Sequence, residues 1–280
     1  MKLIRYLTRD GDTHFGSEQP DGSALCIDGD VFGKYQVSTL REQPYKLLAP
    51  VVARLFYGIG LNYRRHAEET NAKVPEYPIL FMKGPNALQN PGDPIVLPRH
   101  LLSQEVDYEC ELAVVIGKAA KNVPRERALE YVLGYTAAND VSARDWQIKQ
   151  NSGQWCRGKT FDTFAPIGPR LVTTDEITDP NALRISTILN GQRVQDSNTK
   201  DMIFDVPRLI EFLSGSTTLP AGSVILTGTP SGVGMAQNPK RWLVPGDEVV
   251  VEIERIGRLV SPVVAEEVHG PSEPTPPLLR

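Results

Sequence analysis

The stretch at 105–117, EVDYECELAVVIG, restricts this 280-residue chain more than any other. It alternates as a strand closed by Gly117, and residues two apart on a strand share a face. Glu109 and Glu111 therefore point together, with Ala113 and Val115 continuing their face, while Cys110, Leu112, Val114 and Ile116 point the other way into a core. Two adjacent carboxylates on a buried strand repel each other and are costly to desolvate unless they are protonated or bound to a cation. The strand must then either open its acidic face to solvent, as acidic edge strands do, or supply that face with a positive ion.

A metal site needs at least one more oxygen ligand from elsewhere in the chain. Asp140, in GYTAANDVSARDWQ, is the candidate, because Ala137, Ala138 and Val141 mark its segment as one to be buried. A structural pairing of Asp140 or Asp145 with Arg144 is the competing reading. Three carboxylates suit a hard ion, Mg2+ or Mn2+, with positions left for water and substrate; Ca2+ accepts the same ligands.

Around this strand the pattern is rich in strands and turns. Residues 1–50 read as short strands broken at DGD (10–12), PDGS (20–23) and DGD (28–30), a small N-terminal β-rich unit. From Val51 an apolar stretch leads into RRHAEETNAK, which reads as a helix ending before Pro75. A buried strand is expected at YPILFMKGP, further strands at RISTILNG and GSVILTGT, and a hairpin around Ile256-Gly257. Helical spacing at Ala128, Leu129, Val132 and Leu133 predicts a helix there, and DVPRLIEFLSG another, with Pro207 in its first turn and Gly215 at its end. The tail at 269–280 is Pro-rich and expected to be loose. Strands outnumber helices without regular βαβ alternation, so the expected fold is α+β and mostly β. A single main unit over 51–268 is expected, since no linker divides it.

Three further groups carry chemistry. His66 and Glu69, three apart on the expected helix, share a face, and the glutamate can orient the imidazole as a base for a water proton; a surface contact is the plainer reading. In QWCRGKTFDTF, Gly158 would allow close backbone approach to a ligand and Lys159 would stabilise negative charge on an oxygen, unless it is an exposed loop lysine. TGTPSGVG at 227–234 lacks the Gly-Lys-Ser/Thr ending of a phosphate loop, which argues against nucleotide, but its backbone N–H groups suit a carboxylate.

The net charge of −4 gives no general reason to expect nucleic acid or an anionic membrane as partner. Cys26, Cys110 and Cys156 form no CxxC pair and fit a reducing compartment, so a cytoplasmic location is expected, with the mitochondrial matrix as the alternative should the first residues act as a transit peptide rather than a strand. No run of eighteen apolar residues appears, so no membrane span is expected.

Read in order, HAEE, DYECELAVVIGK, NDVSARDWQ, GKTFDTFAPIGP and ILTGTPSGVG resemble the fumarylacetoacetate hydrolase superfamily over roughly residues 55 to 265, and most closely a branch containing oxaloacetate tautomerases. The resemblance implies a β-roll or sandwich with flanking helices, usually a homodimer, with a divalent metal held by Glu109, Glu111 and Asp140. It implies His66, Glu69 and Lys159 as catalytic residues, and Arg144, Gln147 and Thr229 as residues lining the substrate site. It implies chemistry on a small 2-oxo acid that chelates the ion, which stabilises an enolate as a Lewis acid. Oxaloacetate keto–enol tautomerisation is the first expectation. Hydrolysis of a C–C bond in an acylpyruvate is the alternative, with oxaloacetate decarboxylation behind it.

Overall fold

The computed structural model describes residues 1–150 and 152–267. The tail expected to be loose, 269–280, lies outside the described residues.

The expected strand-dominated α+β architecture is present. The larger sheet has twelve strands, and its main path runs from Tyr35–Glu42 through Ala24–Gly29, Thr13–Glu18 and Lys2–Leu7 to Ala165–Thr173. It continues through Val132–Asn139, Cys110–Ile116, Val224–Leu226 and Phe56–Gly60 to Ile79–Lys83. A five-stranded sheet orders Gln192–Asn198, Arg184–Leu189, Glu248–Ile253, Gly257–Ala265 and Ile95–Leu97. The N-terminal strands join the main sheet directly, since Lys2–Leu7 pairs antiparallel with Ala165–Thr173. No helix among the described residues is long and apolar enough to cross a membrane.

The strand Cys110–Ile116 lies well inside the larger sheet and is buried at every position. Its two faces enter different cores. Cys110, Leu112, Val114 and Ile116 pack with the helix Val206–Ser214 and with Ile185, Val251 and Ile253 of the smaller sheet. Ala113 and Val115 pack in a second cluster with Phe56, Ile167 and Phe164. The helix Val206–Ser214 forms as its signals predict: the Asp205 side chain accepts from the Arg208 N–H, and Pro207 sits in the first turn.

Local readings were revised at three places. The segment 105–117 divides into Val106–Asp107 and Cys110–Ile116, so Glu109 sits at a break. There the Asn139 side chain, rather than a ladder carbonyl, accepts the Glu109 N–H at 3.0 Å. The expected helix through Leu133 is a 3-10 helix, Arg125–Tyr131, followed by the strand Val132–Asn139. Val132 pairs with Ile116 and Gly134 with Val115, which carries Leu133 into the strand at a register shift, and tertiary pairing outweighs local spacing. The helix in RRHAEETNAK spans only Arg64–Glu69. The Asn190-Gly191 turn forms as expected, both residues having positive φ (51° and 78°), the combination a two-residue hairpin turn requires.

Candidate active site

The break at Tyr108–Glu109 turns the start of the carboxylate strand toward the strand Val132–Asn139, whose end delivers Asp140. The Asp140 N–H donates to the Glu109 carbonyl at 2.9 Å and ties the two segments together. Carboxylate oxygens of Glu109, Glu111 and Asp140 consequently lie within 4.8 Å of one another, and all three residues are buried. The solvent-facing alternative for the acidic strand does not hold.

Three buried cations surround them. Lys159, the last residue of the short helix Cys156–Lys159, donates to Glu109 Oε2 at 2.8 Å and to Asp140 Oδ2 at 2.6 Å. Its Nζ also stands 4.7 Å from the centre of the Phe81 ring. Arg144 pairs with Glu109 Oε1 at 2.6 Å and, through Nε and Nη2, with Asp107 at 3.0 and 2.9 Å. Lys83, at the end of an edge strand, pairs with Asp140 Oδ1 and donates to the Val141 carbonyl.

Four buried carboxylates (Asp107, Glu109, Glu111, Asp140) thus face three buried cations (Lys83, Arg144, Lys159), a deficit of one positive charge. The deficit falls on Glu111. Its Oε2 accepts the Gly228 N–H at 2.7 Å, but it belongs to no ion pair among the described residues. Burial, then repulsion from Asp140 and Glu109, pushes its carboxyl well above the usual range. Burial would push Glu109 the same way, but Arg144 and Lys159 outweigh it and hold that carboxyl well below the ordinary value. Burial lowers Lys83, whereas Asp140 and Glu109 raise Lys159 against the opposing effect of burial.

Glu109 and Glu111 floor a cavity of about 260 Å³. His66, Glu109, Glu111, Arg144, Gln147, Lys159 and Thr229 line it; Asp140 and Glu69 stand just behind that lining. His66 Nδ1 and Glu69 Oε1 are 2.7 Å apart, and Glu69 Oε2 accepts the Gly232 N–H at 2.9 Å, so the pair is anchored to the 227–234 loop. Arg144 and Gln147, three apart across a helical turn, meet at 3.0 Å. The remaining wall is apolar, with Ile59, Ile79, Phe81, Trp155, Ile148 and Met235. Gly60 makes room for that wall: a Cβ there would stand 2.1 Å from the Trp155 ring.

Two expectations about backbone change. Gly158 serves packing rather than ligand approach, since a Cβ there would meet the Gln147 nitrogen at 2.4 Å and the Ala143 carbonyl at 2.6 Å. The N–H groups of 227–234 do bind carboxylates, but the chain's own: Gly228 meets Glu111, Gly232 meets Glu69, and Gly234 meets Asp107 at 2.7 Å. Sequence reasoning also missed Lys83 and Asp107. Asp107 shares the period-two face of Glu109 and Glu111, which was available as a signal; Lys83 follows an apolar run with nothing to mark its partner.

A sequence model of the fumarylacetoacetate (FAA) hydrolase C-terminal family matches residues 55–264. The chain is 50% identical over 226 residues to a mitochondrial oxaloacetate tautomerase of Xenopus laevis, covering 80% of this chain and 70% of that protein. Among solved structures, a 5-carboxymethyl-2-hydroxymuconate delta-isomerase from Mycobacterium smegmatis matches with a TM-score of 0.83 and 40% identity, over 95% of this chain and all of that one. A fumarylacetoacetate hydrolase from Exiguobacterium antarcticum matches with a TM-score of 0.85 and 35% identity over the same shares.

Proposed function

From the fact that this chain belongs to the fumarylacetoacetate hydrolase family, and is an enzyme of it, we propose that it catalyses a divalent-metal-dependent keto–enol tautomerisation of a small 2-oxo acid, with oxaloacetate as substrate. The observation that carries the reading is Glu111, a buried carboxylate without a cation beside two others that already have theirs. Family members typically depend on a divalent metal. The residues fit one: the three side chains are all oxygen donors, converge from two segments, and lack one positive charge.

Glu109, Glu111 and Asp140 would hold Mg2+ or Mn2+, and Ca2+ satisfies the same donors. Such an ion supplies Lewis-acid polarisation of a 2-oxo group. Lys159, itself buried, presents its ammonium where negative charge grows on the substrate oxygen. Because Gln147 Oε1 accepts from Arg144, the Gln147 amide N–H groups are left to meet a substrate carboxylate. His66, oriented by Glu69, moves the proton to or from C3. In this reading Arg144 orients Gln147 and neutralises Glu109.

The assay is the loss of enol absorbance after enol-oxaloacetate is added with and without Mg2+. Acceleration above buffer plus metal is expected; its absence sinks the tautomerase. The His66–Glu69 pair also suits activation of a water for C–C hydrolysis of an acylpyruvate. Release of pyruvate and acetate from acetylpyruvate would favour that second reading.

A further inference from the structure

Thr229 lines the cavity, yet a threonine hydroxyl can donate or accept, and its use to an enzyme depends on which way its proton faces. Gln195, on the strand Gln192–Asn198 of the smaller sheet, settles that direction. It is 1% exposed and makes four hydrogen bonds. Its Oε1 accepts the Cys110 N–H at 3.0 Å and the Thr187 hydroxyl at 2.7 Å. Its Nε2 donates to the Pro230 carbonyl at 2.8 Å and to Thr229 Oγ1 at 2.9 Å.

Two of these partners have a single role. A backbone N–H only donates and a carbonyl only accepts, so the amide of Gln195 cannot be flipped without leaving both unsatisfied in the interior. With the amide fixed, Nε2 must be the donor to Thr229, and Thr229 Oγ1 must accept. The Thr229 proton is therefore released from any role toward Gln195 and is free for a group bound in the cavity that Thr229 lines. Cys110, the other end of the same amide, lies between Glu109 and Glu111.

We propose that Gln195 is a positioning residue that keeps the Thr229 proton available for a substrate carboxylate and couples that donor to the carboxylate strand. The assignment rests on the 2-oxo acid reading above, but it concerns the acid head alone and not the reaction that follows.

The test is a double-mutant cycle with two readouts: affinity for oxalate in the presence of Mg2+, and KM and kcat for enol-oxaloacetate. Thr229→Val should weaken oxalate binding about tenfold or more, the usual cost of losing a hydrogen bond to a charged group. Gln195→Met should weaken it comparably, chiefly in KM. Combined with Thr229→Val, it should add less than about twofold, because coupled residues are not additive. In the Thr229→Ser background, which keeps the hydroxyl, the Gln195→Met effect should return. Should Gln195→Met fail to fold, Gln195→Asn serves the same cycle, since its side chain is one methylene too short to hold Cys110 and Thr229 together. Multiplying effects would overturn the proposal, as would equal losses in every Thr229 background. Oxalate binding without tautomerase activity would refute the reaction while leaving the positioning role standing; a wild-type protein that binds no oxalate refutes both.

Discussion

The floor and the helix wall of the cavity are built on opposite principles. On the floor, Glu109, Glu111 and Asp140 come from strands or their immediate ends and are buried, and three buried cations hold Glu109 and Asp140. On the wall, His66 and Glu69 stand on a six-residue helix, tied to the loop opposite by one Glu69–Gly232 hydrogen bond. The floor shows how a site is made rigid: ion pairs orient Glu109 and Asp140, and the Gly228 N–H orients Glu111, as preorganised electrostatics demands. The wall is held by hydrogen bonds instead of buried ion pairs with lysine or arginine: the Arg65 N–H also donates to Asp201, and Tyr63 bridges Met202. In the reaction proposed above, enolate formation would fall to the floor and the fate of the enolate to the wall.

Replacing Lys159 strikes the floor hardest. Lys159→Met should lower kcat for enol-oxaloacetate by about 100- to 1000-fold, the range for removing a donor to a developing oxyanion. A fall in kcat below tenfold would move the charge-stabilising role elsewhere.

Next comes a contrast within the floor itself. Glu109→Gln leaves Arg144 and Lys159 short of a buried partner and should cost about 3 kcal/mol of metal-free stability in denaturant titrations. Glu111→Gln replaces a carboxyl that burial and its acidic neighbours already hold toward the neutral form, and should leave metal-free stability unchanged or higher. Equal losses in the two variants would break the claim that the charge deficit resides on Glu111.

The wall should yield a smaller effect. Glu69→Gln loosens the imidazole and should reduce kcat about tenfold, by analogy with partners that orient ligating histidines, with little change in thermal stability. A large drop in stability instead would make the wall structural, like the floor.

The smallest expected effect is a pH slope. Burial, together with Asp140 and Glu109, raises the Glu111 carboxyl in the folded state, so the metal-free fold keeps a proton that the unfolded chain releases. That contribution is complete below the ordinary glutamate range and is lost as pH rises from there through the raised value. The Tm of metal-free protein should fall across this window, and Glu111→Gln should lose that part of the slope.

How much of this could be read beforehand also divides by region. The face shared by Glu109 and Glu111 followed from strand periodicity, and the helix at Val206–Ser214 from its cap and proline. The metal triad as a set came from the resemblance, with the structure adding its geometry. What stayed hidden depends on contacts distant in sequence. Lys83 finds Asp140 only because an edge strand passes beside it. Gln195 reaches Thr229 only because the smaller sheet packs behind the loop. The strand at Val132–Asn139 was masked by a helical spacing that sheet pairing overrode.

The most direct test is a Mn2+ titration followed by electron paramagnetic resonance, on the wild-type protein and Glu111→Gln. The free-ion signal should be lost up to one equivalent per chain for the wild type and persist from the first addition for Glu111→Gln. Equal uptake by the two proteins would contradict a cation held by Glu109, Glu111 and Asp140.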